Sequence, residues 1–363
     1  MARFETTGEL QWNTPAAPAM RRSHRSPWFR WTLGAMGAVI ALIIYAFAAS
    51  AWPSALIVRF LFESEAGRVK RALQKHSPEG VLSILNQHYR SGDQDAVLDV
   101  YFPCTASQSS ARLPTLIWTH GGGWLSGHRD DVTPYLQAIA AEGYTVISLD
   151  YSLAPRHTYP TPIHQVNAAL AYIQQHADRL HVDADRIVMA GDSAGAQITS
   201  QIAALTTNPA YASDCGMTSA IRPGQLRGVV LYCGIYDTPM LIKNAELTPS
   251  PLLRWGTATI VWAYTGSRND NSLALQQMST IRHVTPDFPP AFISGGNSDA
   301  LTNDQSRPLA AKLQTLGVEV ATLFYPQEHA PALGHEYQFN LDNDDGMRAL
   351  AHMLAFLQRH TAQ

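Results

Sequence analysis

The sequence is poor in cysteine, poor in charge and without any excess of basic residues. Only Cys104, Cys215 and Cys233 occur among 363 residues, and no two form a Cys-x-x-Cys pair. A zinc ribbon and a dense disulfide scaffold are thereby excluded, while one disulfide with one free thiol stays open. Charged residues make up 15% of the chain, with 26 Lys+Arg against 29 Asp+Glu and a formal charge of -3. No basic field exists to hold phosphates, so a nucleic acid partner is not expected. Internal repeats and low-complexity tracts are lacking too. Apolar residues reach 46%, which excludes a disordered tail or a coiled coil. The length suits about two average domains or one large α/β domain.

Charge is missing altogether from Trp31 to Val58, and Ala35–Ala49 is almost entirely apolar. About 20 such residues, each rising about 1.5 Å, span a hydrocarbon core, whereas a buried core helix is seldom apolar on every face. Arg21, Arg22, Arg25 and Arg30 precede the run, with Trp28 and Trp31 suited to the interface. That flank favours a cytoplasmic N-terminus and a globular part outside, in the periplasm or another extracytoplasmic space. Arg59, Arg68, Lys70, Arg71 and Lys75 follow and weaken the bias, although long domains translocate largely regardless of charge. Ala49-Ser50-Ala51 has the small-x-small form of a signal-peptidase site, so cleavage to a chain starting at Trp52 is the alternative to a retained single-pass anchor. On this reading the chain divides into a basic segment 1–30, a transmembrane anchor 31–58, a linker with cap helices 59–88 and a catalytic domain 89–363.

Beyond the uncharged run, Ala66–Gln74 and Pro78–Asn86 read as short amphipathic helices, and from Tyr89 onward strand-like and helix-like runs alternate. The alternation predicts an α/β fold with a mostly parallel central sheet flanked by helices. Thr115–Thr119, Thr145–Leu149, Arg186–Ala190, Gly228–Tyr232, Ala291–Ser294 and Val320–Phe324 are short, apolar and followed by Gly, Asp or Pro, as buried parallel strands are. Val132–Ala141, Ile163–Ala177, Ala196–Thr206, Ser306–Leu316 and Gly346–His360 have helical spacing. The apolar, Trp-containing stretch Thr238–Asp287 interrupts the alternation and is expected to form a helical cap over a site.

Gly191-Asp192-Ser193-Ala194-Gly195 stands between the apolar run Ile187–Ala190 and the helix-compatible Ala196–Ser200. Flanking glycines permit a sharp strand-to-helix turn that presents the serine oxygen at the helix start. Chance supplies such a string in about one chain in ten of this length. A second string, His120-Gly121-Gly122-Gly123-Trp124, follows the strand Thr115–Thr119 and arises by chance in only about a few chains per thousand. Successive glycines let backbone N–H groups converge on a developing oxyanion. The expected donors are Gly122, Gly123 and Ala194, with His120 bracing the loop; the plain alternative is a flexible loop.

A serine hydroxyl needs a base, and the base needs a carboxylate to hold its tautomer. Asp299 follows the strand Ala291–Ser294 at the sheet's carboxyl edge, while Asp304 is placed to begin the next helix. Asp299 is therefore preferred, with Asp304 as the alternative. His329 and His335 both follow the strand ending near Tyr325, and His335 is nearer the last helix, where the base is expected. His335 is preferred, with His329 kept as the other candidate. His335-Glu336-Tyr337-Gln338-Phe339 lacks the second histidine of a His-Glu-x-x-His zinc site, so no metal is expected, and no organic cofactor is needed.

With these motifs the chain resembles the α/β-hydrolase superfamily, in particular the hormone-sensitive-lipase-like esterases, whose hallmarks are His-Gly-Gly-Gly and Gly-Asp-Ser-Ala-Gly. The resemblance covers Leu98 to His360 and includes Asp150-Tyr151-Ser152-Leu153-Ala154-Pro155, which is similar to the family's Tyr-Arg-Leu-Ala-Pro segment. It departs at His335-Glu336-Tyr337, where the family has His-Gly-Phe. His120–Trp124 also resembles feruloyl-esterase-like and kynurenine-formamidase-like branches, which widens the expected substrates to amides. The resemblance implies an α/β-hydrolase fold and a carboxylesterase acting on a small-molecule ester through Ser193, His335 and Asp299. A catalytically silent hydrolase-fold binding module is the rival reading. Tyr151, Trp124 and Trp262 are candidate pocket residues, although aromatics near a core more often pack, and Cys233 reads as a small buried residue at a strand end.

Overall fold

The computed structural model describes residues 27–108, 111–268 and 272–362. The chain forms two compact units, Met1–Ala49 and Ser50–Gln363. Arg21, Arg22 and Arg25, which carry the expected orientation, lie outside the described residues. In the first unit helix α1 (Pro27–Ala49) includes Trp31–Ala49, 19 residues of mean hydropathy 2.1, long and apolar enough to cross a membrane or to serve as a signal sequence.

The second unit opens with α2 (Trp52–Leu73), which has Pro53 in its first turn. Proline is tolerated there because its missing N–H would have no helical partner, and it restricts the residue before it. The uncharged run expected as one anchor over 31–58 is thus shared by two helices, and Ala51, Ser54, Ala55 and Val58 are buried in the second unit.

An eight-stranded sheet follows, made of β1 (Val81–His88), β2 (Val97–Pro103), β3 (Leu113–Thr119), β4 (Thr145–Leu149), β5 (Val182–Asp192), β6 (Leu226–Tyr232), β7 (Ala291–Gly295) and β8 (Val320–Phe324). Its order is β1-β2-β4-β3-β5-β6-β7-β8. The β1–β2 and β2–β4 pairs are antiparallel and all the others parallel. The helices are α3 (Thr133–Ala141), α4 (Thr161–Gln175), α5 (Ser193–Thr207), α6 (Pro209–Asp214), α7 (Thr238–Leu247), α8 (Pro251–Thr265), α9 (Leu273–Met278), α10 (Arg307–Thr315) and α11 (Asp344–Thr361).

Pro78–Asn86, expected as a short helix, instead runs into β1, which takes up Val81 onward. A bulge between Ile84 and Gln87, with Asn86 at φ 57, breaks the two-residue alternation. Only Val81, Ile84 and Gln87 are partly buried and the residues between them are exposed, so an edge strand imitates helical spacing.

Alternation on the parallel strands builds two cores. Leu116 and Trp118 of β3 pack with Tyr135 and Leu136 of α3 and Met353 and Phe356 of α11. Ile117 points to the opposite layer, with Val166 and Leu170 of α4 and Ile198 and Ile202 of α5. Covering both faces explains why these strands are continuously apolar. Register pairs Thr119 with Gly191, Asp192 with Tyr232, and Tyr232 with Ser294. The chain therefore leaves β3, β5, β6 and β7 at one edge of the sheet. The insertion between β6 and β7 forms α7, α8 and α9, and α2 packs against α8.

Candidate active site

Ser193 lies at the junction of β5 and α5, with φ 50, a left-handed conformation that a non-glycine residue adopts at a cost of about 1–3 kcal/mol. The turn is possible because Gly195 has no side chain; a Cβ there would collide with the Thr119 carbonyl of β3. Ser193 is 8% exposed.

His335 Nε2 lies 3.0 Å from Ser193 Oγ, and its Nδ1 lies 2.9 Å from Asp299 Oδ2. Asp299 is buried, and its other carboxylate oxygen accepts the Leu301 N–H at 3.0 Å. The Ser298 N–H donates to the Leu333 carbonyl, tying the loop after β7 to the loop that carries His335. Burial opposes a charged ring at His335, but the Cys233 sulfur, the bond to Asp299 and the Glu336 carboxylate outweigh it, so the imidazole pKa stands well above the ordinary histidine value.

The alternatives go elsewhere. Asp304 falls in a π-helical turn, Thr302–Ser306, before α10. His329 Nε2 lies 2.8 Å from Asp345 Oδ2 in the first turn of α11, beside an open depression lined by Ala330, Pro331 and Arg348.

The loop after β3 is shaped by its glycines. Gly122 has φ 92, and a Cβ there would strike the Ser126 carbonyl. The Tyr151 hydroxyl donates to the carbonyls of His120 and Gly121 at 2.9 and 3.2 Å, and the two rings stack 4.3 Å apart. Burial pushes the His120 pKa down, and its Nδ1 lies 2.9 Å from the Gly121 carbonyl. Trp124 is fully buried against Tyr264, with rings stacked 4.6 Å apart, and donates to Gln197 at 3.2 Å. Tyr151 and Trp124 are thus packing residues, as is Trp262, whose ring lies under Arg268.

Three residues near the serine carry more than their sequence signals suggested. Glu336, at φ 57, has Oε1 3.6 Å from His335 Nε2. Asp192 accepts a 2.9 Å bond from Trp118 Nε1, and burial and then Glu336 push its pKa well up. Cys233 directly follows β6, beside His335 and Asp299, and burial lifts its thiol to about 11. Its sulfur with His335 and Asp299 makes a donor set within 4.8 Å, a spacing compatible with a metal ion. The cysteines are all free.

Comparison with known proteins places the chain in a class. The BD-FAE family model matches residues 98–313. Carboxylesterase NlhH of Mycobacterium tuberculosis is 30% identical over 298 residues, 80% of this chain and 87% of its own. An acetyl esterase of Salmonella choleraesuis is 31% identical over 230 residues, 61% of this chain and 64% of its own. Esterase B from Lactobacillus rhamnosis superposes with a TM-score of 0.74 at 22% identity, over 86% of this chain and 96% of that one. A bacterial heroin esterase gives 0.64 at 23% identity, over 84% and 91%. The fold is that of the α/β-hydrolases. The chain belongs to the BD-FAE family within them and is an ester-hydrolysing enzyme.

Proposed function

We propose that this chain is a membrane-anchored serine carboxylesterase in which Ser193 is the nucleophile, His335 the base and Asp299 the residue that holds the base. The observation that supports this most is the unbroken line of contacts from Ser193 Oγ through both nitrogens of His335 to Asp299. Ser193 Oγ attacks the ester carbonyl and passes its proton to His335 Nε2. The resulting oxyanion accepts N–H groups from Gly122, Gly123 and Ala194. Ala194 lies in the first turn of α5, where the first N–H groups have no helical partner. Collapse breaks the acyl–oxygen bond, and the imidazolium returns the proton to the departing alcohol. Water then attacks the acyl-serine, gives its proton to His335, and the acid leaves as Ser193 recovers its hydrogen. Asp299 keeps Nδ1 protonated and stabilises the transient imidazolium.

The anchor is α1, in a single pass, with the basic flank 1–30 on the cytoplasmic side and the catalytic unit outside. A chain-length series of nitrophenyl esters run beside N-formylkynurenine tests the reaction class. Turnover of the esters supports the reading, and turnover of the amide alone would move it to the formamidase-like branch.

A further inference from the structure

Exposed large apolar side chains in the second unit are not scattered. Among the described residues, apart from Leu82, Leu85 and Met347, all of them lie on α2, α7, α8 and α9. Phe60 is 69% exposed, Leu247 75% and Leu252 65%. Concentrated patches of this kind mark interaction surfaces, whereas isolated exposed side chains do not.

Polarity along α2 indicates what covers the patch. From Trp52 to Phe62 the only charge is Arg59, and it is turned inward, donating to the Leu125 and Ala154 carbonyls at 2.6 and 2.8 Å. The outward side of this half is apolar, while the rest of the helix carries Glu63, Glu65, Arg68, Lys70 and Arg71. On α7 and α8 the charged residues are Lys243, Glu246 and Arg254, two cations to one acid. An apolar face bearing the exposed Trp52 and Phe60, with cations on the same helices, suits the headgroup–acyl boundary of a bilayer. Only Ser50 and Ala51 separate the end of α1 from the start of α2 in the chain. A membrane-spanning α1 would therefore keep the start of α2 within two residues of the bilayer surface.

The same helices reach the glycine loop. A Cβ at Gly123 would lie 2.9 Å from the Phe62 ring of α2 and 3.5 Å from a methyl group of Ile260 of α8. We infer that the apolar face of α2, α7 and α8 rests in the lipid surface and that the enzyme draws lipophilic, bilayer-dissolved carboxylic esters from it. The inference rests on the anchored-esterase reading above.

Full-length protein in phosphatidylcholine–phosphatidylglycerol vesicles provides the test, with dioctanoylglycerol in the bilayer and p-nitrophenyl acetate in the water. The Phe60→Glu, Leu253→Glu double variant should lose about tenfold or more of its diglyceride turnover and keep its p-nitrophenyl acetate turnover. Met347→Glu, an exposed apolar site off the face, should alter neither. Undiminished diglyceride turnover in the double variant would overturn the inference, as would equal loss on both esters or equal loss in Met347→Glu. So would a crosslinked dimer that the double variant abolishes while diglyceride turnover persists, because the face would then take a second copy. Failure of the wild type on both esters would instead sink the esterase reading. Release of the wild type from vesicles by carbonate would sink the anchor.

Discussion

Glu336 Oε1 lies 3.6 Å from His335 Nε2, the same nitrogen that faces Ser193 Oγ at 3.0 Å. Around the ring stand Asp299 on Nδ1, the Cys233 thiol, Glu336 and, beyond it, the buried Asp192. The proposed base acts only when neutral, so kcat/KM falls as pH drops through its raised pKa. Glu336→Gln removes one of the charges that favour the imidazolium. Its acid limb is expected to move to lower pH, with turnover above the limb largely kept. A pH–rate profile that superposes on wild type would show that Glu336 does not act on the ring.

The two histidines of the last loop separate cleanly by partner. His335→Ala is expected to lower kcat by several orders of magnitude, since triad members act as a unit. His329→Ala leaves activity near normal and loosens the start of α11, where His329 meets Asp345. A ranking of kcat in the opposite order would contradict the assignment.

Arg59 fastens α2 to the segments that follow the glycine loop and β4. Hydrogen bonds to charged groups contribute about 1.5–3 kcal/mol, and for a chain of this size each kcal/mol moves Tm by about 2–4 °C. Arg59→Ala should therefore lower Tm measurably by calorimetry. Arg59→Lys should recover only part, because one ammonium lacks the fork that serves two carbonyls. An Arg59→Ala protein as stable as wild type would show the clamp to be unimportant.

Ile43 lies well inside the apolar span. An arginine at a bilayer centre costs about 2.5–3.5 kcal/mol on the insertion scale, so Ile43→Arg should shift protein from membrane to soluble fraction. Cleavage after Ala51 predicts instead that the wild type is already soluble and begins at Trp52. Fractionation, N-terminal sequencing and protease access in spheroplasts distinguish these, and a retained anchor with the domain protected inside the cell would reverse the orientation.

The sheet was legible because β3 through β7 are covered on both faces and show as uninterrupted apolar runs. Strand β1 was not, since its bulge gave a three-residue repeat. The break between α1 and α2 was marked only by Pro53, inside a composition that continued unchanged. Ser193 and the glycine loop were readable because backbone geometry restricts what can occupy those turns. Asp299 and His335 depended on distance along the chain from strand ends, which the structure replaces with contacts. Glu336 was visible only as a departure from His-Gly-Phe, and Cys233 only as a strand end. Their closeness to the imidazole arises from loops brought together across the sheet edge.

Treatment with a fluorophosphonate probe, followed by peptide mass spectrometry, tests the central claim most directly. The account predicts one covalent adduct on Ser193 Oγ, absent in Ser193→Ala and strongly slowed in His335→Ala. An adduct on another serine with Ser193 unmodified, or full esterase turnover by Ser193→Ala, would contradict it.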